Sequence, residues 1–164
     1  MTLTTSTNTD TRPVAYILVG VPGSGKTTWV QNQVLVNPYA YLSTDQYIEE
    51  YAESVGKSYS DVFQLYMPLA IERMVNDAIT ARNSQQNIIW DQTSVTKESR
   101  SRKLDMIIGY RAVAVVFETP PREELNVRLT SRPGKVIPKY VVDNFISTFE
   151  EPALEEGFDE IIKI

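Results

Sequence analysis

Gly20-Val-Pro-Gly-Ser-Gly-Lys-Thr27 is the stretch that decides the fold, because it matches the pattern G-x-x-x-x-G-K-[ST] in full. The apolar run Val14–Val19 precedes it and a helix-compatible segment from Thr28 follows, which is the strand-to-helix setting of a phosphate-binding P-loop. Such a loop wraps a polyphosphate so closely that a Cβ would obstruct the inward-pointing backbone N–H groups, so Gly23 and Gly25 are expected in the wrap. A glycine turn without a ligand is the alternative, and the complete motif in this setting argues against it.

The motif also predicts a role for the polar residues at its end. Lys26 is expected to reach the β- and γ-phosphates, Thr27 to offer its hydroxyl to Mg²⁺, and the following helix to add its positive dipole end. The predicted cofactors are therefore ATP, or another nucleoside triphosphate, and Mg²⁺. The expected nucleotide-binding residues of the motif are Pro22, Gly23, Ser24, Gly25, Lys26, Thr27 and Thr28.

Length and composition are those of one globular domain, with 164 residues of which 42% are hydrophobic and 23% charged. The first dozen residues, MTLTTSTNTDTR, are rich in Thr and Ser and lack an apolar segment. Residues 1–12 are therefore expected to form a disordered tail, and residues 13–164 the P-loop domain. No apolar run approaches the length of about eighteen residues that a membrane-spanning helix needs.

Cysteine and histidine are both absent from the chain. Their absence excludes disulfides, thiolate zinc sites, cysteine nucleophiles and histidine general bases. Any metal must be held by oxygen, as Mg²⁺ is, and a carboxylate is the expected proton acceptor. A cytoplasmic location is the simplest interpretation of a chain without cysteine.

The net charge of −5 is unevenly distributed along the chain. Residues 97–139 carry ten basic and five acidic side chains, whereas residues 140–164 carry one basic and seven acidic ones. The basic middle third leaves room for a phosphate-rich partner such as nucleic acid. An ordinary solvated helix surface is the alternative, and charge alone favours it.

Strand-like and helix-like segments alternate along the whole chain. This alternation predicts an α/β fold, a P-loop nucleotide-kinase-like three-layer sandwich in which helices cover both faces of a mostly parallel sheet. The predicted strands are Val14–Val19, Tyr39–Ser43, Asn87–Trp90, Arg111–Phe117 and Glu160–Ile164. The predicted helices are Thr27–Val36, Gln46–Ser54, Ser60–Arg82, Lys97–Ile108, Glu123–Thr130 and Lys139–Phe149, with a kink or restart at Pro68.

Two acidic residues follow predicted strands, at the edge where open α/β sheets bind ligands. Asp45 follows the second strand, and a carboxylate there could orient an attacking hydroxyl and accept its proton. Asp91 ends the run Ile-Ile-Trp-Asp, which is similar to a Walker B strand that carries an acid to the Mg²⁺ site. The alternatives are structural: Thr44 or Asp45 could cap the following helix, and Asp91 could be a cap or a strand-end acid.

Four stretches in order resemble the kinase domain of the polynucleotide 5′-hydroxyl kinase family, which includes the phage enzyme and the mammalian kinase/phosphatase. They are Gly20–Trp29, Thr44-Asp45, Asp91–Arg102 (DQTSVTKESRSR) and Phe149–Ile164 (FEEPALEEGFDEIIKI). In this family the Asp after the second strand takes the proton from the 5′-hydroxyl of a nucleic acid, so the resemblance implies that Asp45 is the general base. The family usually has Arg where this chain has Thr44, and the phage enzyme has Arg where this chain has Ile48.

Basic and aromatic residues complete the predicted site. Arg132, in a mobile basic loop over Ser131–Pro138, is similar to the lid arginine that reaches the transferring phosphates, and a guanidinium suits developing phosphate charge. Arg128 could take that role or face adenine. The expected substrate-binding residues are Asp45, Tyr47, Asp91, Arg100 and Arg102. The alternative for Arg132 is a solvent-exposed loop residue. For Arg100 and Arg102 it is a surface salt bridge, and for Tyr47 it is packing in the core.

The resemblance predicts an ATP-dependent polynucleotide 5′-hydroxyl kinase that acts on RNA or DNA in end repair, with Lys26, Asp45 and Arg132 as catalytic residues. A kinase of a nucleoside or another small hydroxyl metabolite is the second hypothesis. A binding module gated by a nucleoside triphosphate is the third. The chain contains no D-x-D-x-[TV] motif of the associated phosphatase, so processing of 3′ ends by this chain is not expected.

Overall fold

A computed structural model describes residues 10–33 and 38–164. It contains one sheet of five strands, β1 Val14–Val19, β2 Tyr39–Leu42, β3 Asn87–Trp90, β4 Arg111–Val116 and β5 Glu160–Lys163. The strand order is β2-β3-β1-β4-β5 and every neighbouring pair is parallel. All five predicted strands are present, and the predicted parallel α/β fold is confirmed.

Apolar side chains of the central strands alternate between two core clusters, one on each face of the sheet. Ile17 of β1 packs in a cluster that includes residues of two long helices, whereas the next residue, Leu18, packs with Trp29 and Val30 on the opposite face. Period-two alternation of side chains in a strand explains this division. Since both sets are buried, the sheet is covered on both faces, as parallel sheets require.

Six helices and one 3-10 turn connect the strands in the described part of the chain. The helices are α1 Lys26–Gln31, α2 Thr44–Ser54, α3 Tyr59–Asn83, α4 Lys97–Met106, α5 Arg122–Thr130 and α6 Lys139–Thr148, and the 3-10 turn is Leu154–Glu156. Ser58 and Asp61 form a reciprocal capping box at the start of α3. In the same residues no helix has the length and apolarity to cross a bilayer.

Two helices differ from the predictions. Helix α1 ends at Gln31 rather than near Val36, because the backbone N–H groups of Asn32 and Gln33 bond carbonyls three residues back and close the last turn tightly. The end predicted beyond this point lies outside the described residues. Helix α3 runs without interruption through Pro68, so the predicted restart is wrong. Pro68 lies on the exposed side of the helix, where a carbonyl that loses its N–H partner can face water.

The parallel arrangement brings the ends of three strands to one edge of the sheet. Strand β1 leads into the P-loop, β3 into Asp91, and β2 into Thr44 and Asp45. Because β3 lies between β1 and β2, all three segments meet at the carboxyl edge where such sheets bind ligands.

Candidate active site

The P-loop has the backbone conformation that its glycines predict. Gly23 and Gly25 adopt φ angles of +81° and +100°, in the left-handed region that L side chains rarely enter. At Gly23 a Cβ would also lie 2.9 Å from Leu125 Cδ1, so α5 packs against the loop from outside. The glycines therefore serve both the turn of the loop and its close packing.

Lys26 is held by the loop itself. Its ammonium donates hydrogen bonds to the carbonyl oxygens of Gly20 and Val21, each over 2.9 Å. Burial lowers the pKa of Lys26 to about 8, although the nearby carboxylates of Asp91 and Asp45 act in the opposite direction. The ammonium thus lies in a desolvated position where polyphosphate oxygens would stabilise its charge.

The polar atoms around the loop fit a Mg²⁺-bound nucleoside triphosphate. Ser24 Oγ is buried and has no hydrogen-bond partner among the described residues, while the hydroxyl-bearing Thr27 and Thr28 are exposed at the start of α1. The described residues contain no cluster of three acidic groups that could cage a metal. Mg²⁺ usually takes one or two protein oxygens and completes its shell with water and phosphate, so Thr27 and Asp91 suffice as its candidate protein ligands.

Asp91 lies at the end of β3 as predicted, and it is buried. Its carboxylate accepts a short hydrogen bond from the Tyr41 hydroxyl of β2. Burial raises the pKa of Asp91 above its ordinary value, and the Tyr41 hydroxyl and Lys26 ammonium act against that rise. A cation at this position would favour the ionised carboxylate.

Asp45 lies in the first turn of α2, but it does not cap that helix. Ser43 is the N-cap, since its hydroxyl accepts from the backbone N–H of Gln46 over 3.2 Å. The Asp45 carboxylate instead accepts from the Tyr59 hydroxyl over 2.7 Å and from the Lys135 ammonium over 3.0 Å. Burial alone would raise the pKa of Asp45, but Lys135 and Tyr59 outweigh it and hold that pKa below its ordinary value. Asp45 is thus an ionised carboxylate without a capping role.

The two arginines predicted to serve the phosphates lie on the α5 side of the loop. Arg128 donates to the carbonyl oxygen of Gly23 over 3.0 Å and also pairs with Glu124 of its own helix. Arg132 is partly exposed and has no ion pair in the described part of the chain, although it is near enough to lower the pKa of Lys26. Arg128 therefore contacts the P-loop directly, and Arg132 keeps its guanidinium available.

Three residues predicted to bind substrate instead form contacts with other side chains of the protein. Arg100 is fully buried, where it pairs with Glu156 over 2.8 Å and donates to the carbonyl oxygen of Ser94. Tyr47 is also buried and donates its hydroxyl to Asp77, so it offers no exposed ring for a base. Arg102 is exposed but pairs with Glu98 one helical turn away. The structure therefore replaces the predicted substrate contacts of Arg100 and Tyr47 with internal ones.

Three side chains at the site were not predicted from the sequence: Tyr41, Tyr59 and Lys135. Tyr59 and Lys135 both contact Asp45, and Tyr41 contacts Asp91. The available signals were weak: six of the nine tyrosines lie between Tyr39 and Tyr66, and residues 131–138 form a basic loop. Neither indicates a contact partner 14 or 90 residues away.

Comparison with known proteins gives the family. The sequence model of the AAA domain matches residues 16–152, which is most of the chain. The chain belongs to this AAA-domain family. The chain is also 28% identical over 153 residues to the bifunctional polynucleotide phosphatase/kinase of Schizosaccharomyces pombe. The match covers 90% of this chain and 32% of that protein, so the chain spans about a third of the length of this curated relative.

Solved structures agree on the fold. A chain of the Pnkp1/Rnl/Hen1 RNA repair complex superposes on this AAA domain with a TM-score of 0.66 and 22% identity, covering 88% of this chain and 46% of that one. A gluconokinase from Sinorhizobium meliloti 1021 gives a TM-score of 0.50 and 18% identity, covering 93% and 82%. The predicted resemblance to polynucleotide kinase domains is confirmed, and the AAA domain has the α/β fold of P-loop kinases.

Proposed function

We propose that this AAA domain, over residues 13–164, is an ATP-dependent polynucleotide 5′-hydroxyl kinase that phosphorylates RNA or DNA during end repair. The observation that carries the proposal is the position of Asp45. Its ionised carboxylate lies at the same sheet edge as the P-loop, near enough to Lys26 to influence the pKa of that lysine. A carboxylate beside a phosphate-binding loop is what transfer to a hydroxyl requires.

The reaction assigns a separate task to each group. The acceptor oxygen forms a bond to the γ-phosphorus while the bond from that phosphorus to the bridging oxygen of ADP breaks. Asp45 orients the acceptor hydroxyl and takes its proton. Lys26 and the loop N–H groups hold the phosphates, and Arg132 stabilises the charge that develops on the transferring group. Thr27 and Asp91 would hold Mg²⁺, which would supply further neutralisation of phosphate charge.

The test is incubation of the protein with γ-labelled ATP and Mg²⁺ and a panel of 5′-OH RNA, 5′-OH DNA and free nucleosides. Asp45→Asn removes the charge and keeps the size, so it should lower kcat by about 10² to 10⁴-fold. ATP affinity should stay within about threefold, because the loop is intact. Glu50→Gln is the matched control, since Glu50 lies on the same helix but pairs with Arg73. Near-normal turnover of Asp45→Asn on a 5′-OH oligonucleotide would disprove the assignment of the base.

A kinase of a small hydroxyl compound is the second candidate, and the burial of Arg100 and Tyr47 favours it. Two of the residues predicted to bind a polynucleotide are committed inside the protein. The acceptor panel separates the two candidates directly, because a small-molecule kinase would label the nucleoside and leave the oligonucleotide unlabelled. A binding module gated by a nucleoside triphosphate would label neither acceptor.

A further inference from the structure

The lid loop, defined here as residues 131–138 between α5 and α6, carries a buried lysine. Lys135 is only 9% exposed. Its ammonium donates to Asp45 Oδ2 over 3.0 Å and to Glu49 Oε1 over 3.3 Å, both on α2. It also lies 4.4 Å from the centre of the Tyr59 ring of α3, a distance at which a cation and an aromatic face attract.

Backbone contacts dock the lid loop on both sides of this lysine. The N–H of Ser60 donates to the carbonyl of Gly134 over 3.1 Å, and the N–H of Val136 donates to Ser60 Oγ over 2.9 Å. Gly134 has a φ of +70°, and a Cβ there would lie 3.0 Å from Ser58 Cβ. The lid loop is therefore fixed to the start of α3 by two hydrogen bonds and a close approach.

The two oxygens of the Asp45 carboxylate receive different partners. Tyr59 donates to Oδ1 and Lys135 donates to Oδ2. A buried ammonium needs a paired anion, because its desolvation is otherwise unfavourable. Docking of the lid loop thus depends on the carboxylates of α2, and by linkage the orientation of Asp45 depends on docking.

We propose that Lys135 is a positioning residue that couples docking of the lid loop to the orientation of the Asp45 carboxylate. The inference rests on the proposed function, in which Asp45 accepts the proton of the acceptor hydroxyl. One loop would then serve both halves of the proposed reaction, because Arg132 is assigned to the transferring phosphoryl group and Lys135 holds the base. Other charged or titratable groups near Asp45 are Glu49 of α2, Tyr59 of α3, Lys26 of α1, Asp91 after β3, and Arg132.

The experiment combines kinetics with amide hydrogen exchange. Lys135→Met should lower kcat by about 10- to 100-fold while the KM for ATP stays within about twofold, because the base is misoriented and the P-loop is unchanged. Lys135→Arg should recover part of kcat. The amides of Val136 and Ser60 should exchange faster in Lys135→Met. Lys57→Met is the matched control, because Lys57 is exposed and forms no ion pair within the described residues.

Coupling must also operate in the opposite direction. Asp45→Asn weakens the pair from the α2 side, so it should accelerate exchange at the amides of Val136 and Ser60 while Lys135 itself is intact. This arm needs no knowledge of the acceptor and does not depend on the folding of a Lys135 variant. Unchanged exchange in Asp45→Asn, or wild-type kcat in Lys135→Met, overturns the proposal.

Different results would contradict the positioning role of Lys135 and the proposed function. A wild-type protein that phosphorylates no 5′-OH acceptor contradicts the proposed function, whereas the exchange arm still decides whether Asp45 and the lid loop are coupled. Faster exchange in Lys135→Met without any fall in kcat, in an active wild-type background, shows a merely structural contact and overturns the positioning role.

Discussion

Lys26 combines a phosphate-binding charge with a position that disfavours that charge. Burial lowers its pKa to about 8, and the hydrogen bonds to Gly20 and Val21 hold the side chain in place. Phosphate oxygens would restore the stability of the ammonium on binding, which makes the lysine responsive to a polyanion. The charged form of Asp45 is favoured instead, because Lys135 and Tyr59 lower the pKa of its carboxyl group.

ATP binding should therefore weaken above about pH 8. The free protein loses the Lys26 ammonium as pH rises through that value, so the ATP dissociation constant should be roughly tenfold higher at pH 9 than at pH 7. Titration with a fluorescent ATP analogue between pH 6.5 and pH 9.5 measures this change. Lys26→Arg is the control, because a guanidinium remains charged and should give a pH-independent constant. A wild-type constant that stays flat to pH 9.5 contradicts the lowered pKa.

At the scale of elements, a buried ion pair ties α4 to the 3-10 turn that precedes β5. Arg100 is fully buried and forms hydrogen bonds from two of its guanidinium nitrogens to Glu156. Arg100→Met should lower the free energy of unfolding by about 3 kcal/mol, since it leaves a largely buried carboxylate unpaired. Arg102→Met, on the same helix, removes an exposed pair and should change it by less than about 0.5 kcal/mol. Urea denaturation at pH 7 measures both variants.

The loss of unfolding free energy in Arg100→Met should depend on pH, and the pKa of Glu156 gives the direction. Burial would raise the pKa of Glu156, but the bonds from Arg100 and from the Ala153 N–H lower it overall. A lowered carboxylate pKa contributes stability above the unfolded value of about 4.3, and that stability is lost as pH falls through the folded value. The difference in the free energy of unfolding between wild type and Arg100→Met should therefore become smaller at low pH. If that difference in the free energy of unfolding is constant from pH 7 to pH 3, the Arg100–Glu156 ion pair does not cause it.

The first four strands could be predicted from sequence because each is a short β-branched or aromatic run that is followed by a turn signal or an acidic residue. Strand β1 is an example: Val14–Val19 was predicted and found with the same bounds. Helix ends were less predictable, as α1 shows, because the last turn depends on local hydrogen bonds that propensity does not encode.

The residues of the candidate site also fall into those that could be predicted from the sequence and those that could not. The P-loop and Asp91 could be placed because each directly follows a strand, and Asp45 because it lies three residues after one. Parallel strands bring their carboxyl ends together. Tyr59 and Lys135 could not be placed, since they reach Asp45 from the start of α3 and from the lid loop through tertiary packing alone. Arg100 was misassigned for a related reason. Its partner Glu156 is 56 residues away, and charge on a helix carries no information about burial.

At the scale of the whole molecule, the basic middle third of the sequence does not form a free cationic face. Six of its ten basic residues pair with carboxylates, several of which lie outside that segment. The pairs are Arg100–Glu156, Arg102–Glu98, Arg111–Glu160, Arg122–Asp143, Arg128–Glu124 and Lys135–Asp45. Few cations near the candidate site remain for a phosphate backbone. In the described part of the chain, Arg132 within the lid loop and Lys139 directly after it form no ion pair.

A polynucleotide acceptor should therefore bind with weak but measurable salt dependence. The two unpaired cations predict about two phosphate contacts, which on a single strand give a slope near −1.4 in a plot of log association constant against log salt concentration. Fluorescence anisotropy with a labelled 5′-OH oligonucleotide between 50 and 300 mM KCl measures that slope. Lys139→Met should make it less steep by about 0.7, whereas Arg102→Met, whose charge already pairs with Glu98, should leave it unchanged. A slope near zero would favour a small-molecule acceptor, because no counterions would be released. A slope steeper than about −5 would require more phosphate contacts than the unpaired cations provide, and would contradict the small footprint inferred from the ion pairs.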